Sequence, residues 1–437
     1  MIKVVKFGGS SLADAVQFKK VAAIIKNDPS RRYVVASAPG KRNSHDEKVT
    51  DLLLQCFHLA GEKRSFDETF EKVANRYREI IRDLKLSFSL DEDLTGIKMA
   101  ISHHAGCDYI ASRGEYLNSK LLAAFLDFPF VDAEDCIFFD ENGKMDTEKT
   151  EKELAKVLSL HEYAVIPGFY GILPNGMIKT FSRGGSDITG SIVAGAVGAD
   201  IYENWTDVSG MLMADPRYVE NPRPIPEITY RELRELSYMG ATVMHDEAIF
   251  PVRKARIPIN IRNTNDPKAP GTMIVPKAAS NIVDTVITGI AGKKGITALH
   301  VEKDMMNSEV GFGKKVLEVL ENHSISFEHL PSGIDTMSVL VESKAIAECK
   351  GSITAEMVKK VNPDSITLVE NLCLVAVVGR GMVANEGTAA RVFTALAENH
   401  VNIRMIDQGS SEINIIVAVE EKDFQTTIKA IYNEFVK

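Results

Sequence analysis

Twice in the first half of the chain a short apolar run ends in a glycine pair and leads into a stretch of helical period. The first is Val4-Val5-Lys6-Phe7-Gly8-Gly9-Ser10-Ser11; the second is Ile178 to Phe181, then Ser182-Arg183-Gly184-Gly185-Ser186-Asp187. Met1–Val5, Arg31–Ala38, Tyr163–Ile166, Ile178–Phe181 and Ile201–Trp205 read as strands, with helices such as Leu12 to about Lys26 (capped by Ser10 or Ser11) and Ile188–Val197 between them. Strands alternating with helices predict an α/β fold with a mainly parallel, doubly wound sheet. Val49 to Leu126 is mostly helical in period, with Gly114 expected to break it, and the polar 41–48 segment is expected to be a mobile loop. The Pro-, Asn-, Gly- and Thr-rich stretch from Asn260 to Ala279 looks like the exit from this domain.

Beyond that exit the order of elements repeats. Ile296–Val301 (strand), Gly311–Asn322 (helix) and Thr336–Val341 (strand) are followed by Leu372–Val378, Gly387–Asn399 and Ile413–Val419 in the same order. Glu321-Asn322-His323 recurs as Glu398-Asn399-His400, 77 residues on, which suggests a paired small α+β module. At 437 residues the chain exceeds one ordinary core in any case.

Totals exclude several classes. A formal charge of −9 argues against a general nucleic-acid binder, so an anionic substrate must be met by a few local cations. Five cysteines without a CxxC pair fit thiols in a reducing cytosol. No apolar run approaches membrane-spanning length, and Lys6 and Gly8 interrupt any signal-like segment early, so a cytoplasmic protein with no membrane partner is expected.

The candidate chemistry sits on the glycine turns. Gly8 and Gly9 leave backbone N–H groups bare toward a phosphate, and Lys6 is a flexible point charge able to reach a phosphoryl group; a tight turn with a surface lysine fits the same residues. At the second turn Arg183 can hold a carboxylate through two hydrogen bonds, and Asp187 can orient a lysine or a metal, or the segment is a helix cap with a solvent-facing arginine. Thr206-Asp207-Val208-Ser209-Gly210 and Ala214-Asp215-Pro216-Arg217 follow a strand, where ligands of open α/β sheets collect, although an Asx-turn explains them equally. In Ser112-Arg113-Gly114-Glu115, Glu115 either pairs with a substrate ammonium or is a solvated helix glutamate. Gly379-Arg380-Gly381-Met382-Val383-Ala384 matches a dinucleotide fingerprint, but too few residues follow it to complete that domain. His103, His104, Cys107 and Asp108 match no standard zinc spacing, and no metal ligand is assigned to a protein side chain.

Taken in order, KFGGSS, SRGE, FSRGGSD, TDVSGMLMADPR and Gly240-Ala241-Thr242-Val243-Met244-His245 resemble the signatures of monofunctional aspartate kinases, over nearly the whole chain. The resemblance implies an amino-acid-kinase sheet sandwiched by helices in residues 1–285, with the helical subdomain at about 49–126. Two ferredoxin-like ACT modules would follow at 286–365 and 366–437, with 286–291 lending a strand to the second. It further implies ATP- and Mg²⁺-dependent phosphorylation of the β-carboxylate of L-aspartate to 4-phospho-L-aspartate, the first step toward lysine, threonine and methionine. Lys6 would stabilise the phosphoryl group in transit, cradled by Gly8, Gly9 and Ser10, with Asp187 orienting Lys6. Arg183 would hold the α-carboxylate with Gly184, Gly185 and Ser186 nearby, Glu115 the ammonium, and Ser37 and Thr50 would line the pocket. Thr206, Asp207, Asp215 and Arg217 would contact ATP, as would the positions of Leu212 and Thr242, where relatives often carry an aromatic and a lysine. Arg253 or Lys254 is the candidate substitute charge.

In the first module, Met306, Ser308, Phe312, Gly313, Phe327 and Glu328 sit where relatives bind an inhibitory amino acid; plain strand-edge chemistry is the alternative. Lysine is the expected inhibitor and threonine the second candidate, with Glu328 taking the lysine ammonium. Pairing of ACT modules implies a homodimer or dimer of dimers. Other carboxylate kinases and a catalytically dead amino-acid sensor are the competing readings; a fused dehydrogenase would need a further domain after the repeat.

Overall fold

The structure is a computed structural model that describes residues 1–182, 184–241, 244, 246–278 and 286–436. It resolves into two compact units, one built from Met1–Met211, Pro226–Tyr230 and the described part of 243–278, the other from Leu212–Ile225, 231–241 and 286–436.

The first unit is organised by β1 (Lys3–Phe7). Its alternation places Val5 and Phe7 in the apolar core and leaves Lys6 on the opposite face. The chain continues through α1 (Ala15–Lys26), β2 (Arg31–Ala36), four helices α2 (Val49–Gly61), α3 (Asp67–Leu84), α4 (Asp91–Ser102) and α5 (Cys107–Leu126), and α6 (Thr147–Leu158). Then come β3 (Ala164–Pro167), the hairpin β4 (Tyr170–Ile172) and β5 (Ile178–Thr180), α7 (Gly185–Ala196), β6 (Ile201–Thr206), β7 (Glu227–Thr229), α8 (Asp246–Lys254), β8 (Ile259–Asn263) and β9 (Thr272–Val275). Seven strands form one sheet in the order β3-β2-β1-β6-β8-β9-β7, parallel except for β8 against β9. Aliphatic and aromatic side chains of α1 to α5 cover one face, against Phe7, Ala36 and Trp205.

Local readings shift in four places. Ser10 and Ser11 do not cap α1: they lie in a 3₁₀ turn, and the Ser11 hydroxyl is engaged by Thr264 Oγ1 at 2.7 Å. Asp14 caps the helix, accepting from Gln17 N at 2.9 Å. Gly114 does not interrupt the helix but sits inside α5, where its missing side chain lets a loop pack close. The 260–279 stretch is more than an exit: Ile261, Thr272 and Ile274 are buried in two sheet strands that its turn-forming residues connect, and the first unit ends at Ala278. The 41–48 segment lacks regular structure, yet Asp46 is bound by both Arg42 and Arg76.

The second unit carries a five-stranded antiparallel sheet, β11-β10-β12-β14-β13, with β10 (Gly289–Glu302), β11 (Thr336–Glu342), β12 (Ser365–Val378), β13 (Met405–Asp407) and β14 (Asn414–Glu420). Helices α9 (Phe312–Asn322), α10 (Lys350–Val361), α11 (Thr388–Glu398) and α12 (Phe424–Phe435) accompany it. β10 and β12 are 14 residues each, longer than the hydrophobic runs suggested. Ile296–Glu302 lies between β11 and the start of β12, whereas Gly289–Lys294 pairs with Val378–Cys373, beside β14. Among the described residues no helix is long and apolar enough to cross a membrane.

Candidate functional site

Register brings the predicted residues of the first unit to one edge of the sheet. Phe7 stands opposite Ala36 and Trp205, so Gly8, Ser37 and Thr206 leave β1, β2 and β6 at the same carboxyl edge, where an open α/β sheet offers its crevice. The turns are tied to one another. Gly8 N donates to Trp205 O at 3.0 Å, Ser37 N to Phe7 O at 3.2 Å, and Gly40 N to Gly9 O at 2.8 Å. A side chain at Gly9 would meet Ala38 O at 2.8 Å and Gly40 N at 3.1 Å, so the 37–40 loop can lie on this turn only because the position is bare.

Lys6 is 8% exposed and reaches across the sheet face to the first turn of α7, where its Nζ lies 2.5 Å from Asp187 Oδ1. Asn204, its neighbour on β6, donates from Nδ2 to the same oxygen at 2.9 Å. Gly184, with φ of 73°, precedes α7, and Gly185 and Ser186 open that helix. Arg183 lies outside the described residues.

Glu115 overturns the solvated-glutamate reading. It is buried in α5, accepts from the Ala38 backbone N–H, and its Oε2 has no partner among the described residues. Burial pushes its carboxyl up to about 8, although the Ala38 N–H and the nearby charges of Arg113 and Lys6 act to lower it. A buried carboxyl within the field of Lys6 and holding a free acceptor suits a cation. Thr50, in the first turn of α2, faces Gly114 of α5, the residue before Glu115, where an added Cβ would come 3.6 Å from its Oγ1. Arg113 does not point to an acid; its guanidinium is stacked among Tyr109, Tyr116 and Tyr170 and bonds Ser112 Oγ.

Thr206 closes β6 and donates to the exposed Asp207 at 3.2 Å. Leu212, Asp215 and Arg217 belong to the second unit. Leu212 is exposed there, and Arg217 binds Asp215 through backbone and guanidinium, which holds that carboxyl below its usual range. Thr242 lies outside the described residues. Asp108, one of the residues weighed for a metal, is bound by Lys179 and Thr180.

In the first C-terminal module the structure separates the effector candidates. Met306 and Phe312 are part of the module's hydrophobic core, Ser308 donates to Met305 O, and Gly313 lies in the first turn of α9 beside Met337. Phe327 is half exposed, whereas the Glu328 side chain is only 8% exposed and paired with Lys293 at 2.8 Å.

The N-terminal 1–263 match the amino acid kinase family, and 375–435 match an ACT domain. Aspartokinase 3 of Bacillus subtilis is 40% identical over 451 residues, covering 99% of this chain and 98% of its own length. The chain belongs to the aspartate kinase family. The crystal structure of the Clostridium acetobutylicum aspartate kinase superposes with a TM-score of 0.90 at 52% identity, covering 99% of each chain. Escherichia coli aspartokinase III, solved with aspartate and ADP, gives a TM-score of 0.78 at 25% identity over 99% of each chain. As an aspartate kinase, the chain is a phosphotransferase, and the cation, glycine turns and buried acid at one sheet edge are the parts to be explained by that chemistry.

Sequence patterns missed Asn118, Asn204 and Lys293. Asn118 was discoverable in principle, since it follows Glu115 by one helical turn and shares its face. Asn204 and Lys293 gave no signal without the strand register.

Proposed function

We propose that this chain transfers the γ-phosphoryl group of ATP to the β-carboxylate of L-aspartate, giving 4-phospho-L-aspartate, the first step toward lysine, threonine and methionine. The pairing of Lys6 with Asp187 at the sheet edge, within the field of buried Glu115, carries the reading. A β-carboxylate has an ordinary pKa of about 3.9, so the nucleophile is already ionised and no general base is needed. The barrier is the approach of one anion to another. Lys6, aligned by Asp187, supplies the cation in the path of the phosphoryl group, while Gly8, Gly9 and Ser10 form the turn that would cradle it, with the Gly8 N–H itself held by Trp205 O. Arg183 would take the α-carboxylate with Gly184, Gly185 and Ser186, Glu115 the ammonium, and Ser37 and Thr50 the pocket wall. Thr206, Asp207, Leu212, Asp215, Arg217 and Thr242 are proposed nucleotide contacts.

Mg²⁺ is proposed to arrive on ATP. This ion uses one or two carboxylates with phosphate oxygens instead of a protein cage. When bound it would neutralise phosphate charge.

The catalytic domain is proposed to span 1–285, with ACT modules at 286–365 and 366–437, a homodimer or dimer of dimers formed through those modules, and a cytoplasmic location. The inhibitor is proposed to be lysine, with threonine second, bound by Met306, Ser308, Phe312, Gly313, Phe327 and Glu328. A mixture of protein, ATP, Mg²⁺, aspartate and hydroxylamine should yield aspartyl hydroxamate, with less product when lysine is added. Product from glutamate but none from aspartate would overturn the substrate; inhibition by threonine or methionine alone would overturn the effector.

A further inference from the structure

Glu115 and Asn118, one turn apart on α5, hold the two ends of a single peptide group. Asn118 Nδ2 donates to the Ser37 carbonyl at 2.6 Å, and the N–H of that same peptide, on Ala38, donates to the Glu115 carboxylate. A peptide bonded at both its oxygen and its nitrogen cannot turn about the chain. The helix reaches it because Gly114 is bare; a Cβ there would lie 2.8 Å from Ala38 Cβ.

Each side chain spends only half its capacity on this grip. Glu115 Oε2 and Asn118 Oδ1 are both buried and have no donor among the described residues, in residues 6% and 0% exposed. The carbonyl of Ser37 fixes which end of the Asn118 amide faces it, so the free end is an acceptor. Two buried acceptors on adjacent turns of one helix face lack donors, and a primary ammonium brings three N–H groups and no acceptor.

We propose that Asn118 completes the seat of the substrate's α-ammonium, its Oδ1 accepting one N–H beside Glu115 while its Nδ2 holds the Ser37–Ala38 peptide in place. The inference rests on the reading of Glu115 as the ammonium acceptor. It also defines a substrate class: acidic amino acids with a free amino group, and not their N-acylated forms, whose amide nitrogen has one N–H and no charge.

The test is steady-state kinetics of the full chain with Asn118→Leu, Asn118→Ser and Glu115→Gln, varying aspartate and ATP separately. Loss of a hydrogen bond to a charged group predicts a KM for aspartate raised about tenfold or more in both Asn118 variants, with the KM for ATP within about twofold of wild type. N-acetylaspartate should be no substrate for the wild-type protein. If Asn118→Leu fails to fold, Asn118→Ser carries the measurement. Unchanged KM for aspartate in folded Asn118 variants, with Glu115→Gln impaired, overturns the role of Asn118 alone. A parallel rise of both KM values also overturns it, in favour of a structural role. Unchanged KM for aspartate in Glu115→Gln removes the ammonium seat itself.

Discussion

Lys6 Nζ stands 2.5 Å from Asp187 Oδ1, and Asn204 Nδ2 donates to that same oxygen, so strand β1, its neighbour β6 and the first turn of α7 meet at one carboxylate. The arrangement aligns a buried lysine without neutralising it by a second acid. A flexible ammonium is thereby made a fixed one, and a preorganised charge is worth far more to an anionic transition state than a mobile one. Lys6→Met should therefore lower kcat by about 10²–10³, or roughly 3–4 kcal/mol in the barrier. The KM for aspartate should change little. Near-wild-type turnover by the folded variant would remove Lys6 from the chemistry.

Glu115 predicts a proton release. Burial pushes its carboxyl up to about 8 in the empty pocket, so near pH 7 it is largely protonated. An ammonium beside it favours the ionised form, and binding of aspartate should expel a proton. Affinity for aspartate should then rise as pH goes from about 6.5 to about 8. Calorimetry in two buffers of different ionisation enthalpy reads this directly, and Glu115→Gln should abolish the buffer dependence. The stability sign is the opposite. Between the ordinary value of 4.5 and about 8 the folded protein binds a proton that the unfolded chain does not. This group's contribution is therefore full below 4.5 and is lost as pH rises through about 8.

How far the sequence showed this site depended on the kind of signal. The glycine pairs and their flanking charges stood out because a strand–glycine–helix junction is a local pattern, although a plain tight turn fits each of them taken singly. Glu115 was legible only as one of two readings, since a helix glutamate reads as solvated until the loop around Ala38 is placed over it. Asn118 and the 37–40 loop are joined only through tertiary packing, across 81 residues of chain. The composition of 260–279 misled for a related reason: its turn-forming residues describe the connection and hide the two strands it joins.

Beneath the sheet, Glu203 holds a buried cluster. Its carboxylate accepts from Arg31 Nε at 2.8 Å and Trp205 Nε1 at 2.8 Å, with Lys3 at 3.5 Å and Arg262 at 3.9 Å, and its side chain is 2% exposed. Removing the acid would leave Arg31, also buried, with the Ile24 carbonyl at 2.6 Å and only a distant carboxylate, Asp28 at 4.0 Å. Glu203→Gln should cost about 3–5 kcal/mol, the usual loss when one member of a buried pair is deleted. Urea denaturation should show it as a lower midpoint. A midpoint unchanged from wild type would mean that water or backbone groups satisfy Arg31 in its place.

Glu328, offered above as the acceptor for an inhibitory lysine, already holds an ammonium belonging to the chain. Lys293 Nζ lies 2.8 Å from it and 2.6 Å from Glu342, and sits 5.7 Å from the centre of the Tyr238 ring. Burial, and after it a hydrogen bond to Glu328, push the Tyr238 phenol up to about 12, so the tyrosine remains neutral there. A lysine taken up by Glu328 would compete with Lys293 for that carboxylate, and Glu342, half exposed, can keep the released side chain. Lys293→Met removes that internal competitor. The lysine concentration for half-inhibition should fall roughly fivefold, matching about 1 kcal/mol for a partly exposed ion pair, with uninhibited kcat unchanged. If the variant instead needs more lysine, Lys293 supports the effector and does not compete with it. A Glu328→Gln variant still fully inhibited by lysine would place the effector elsewhere.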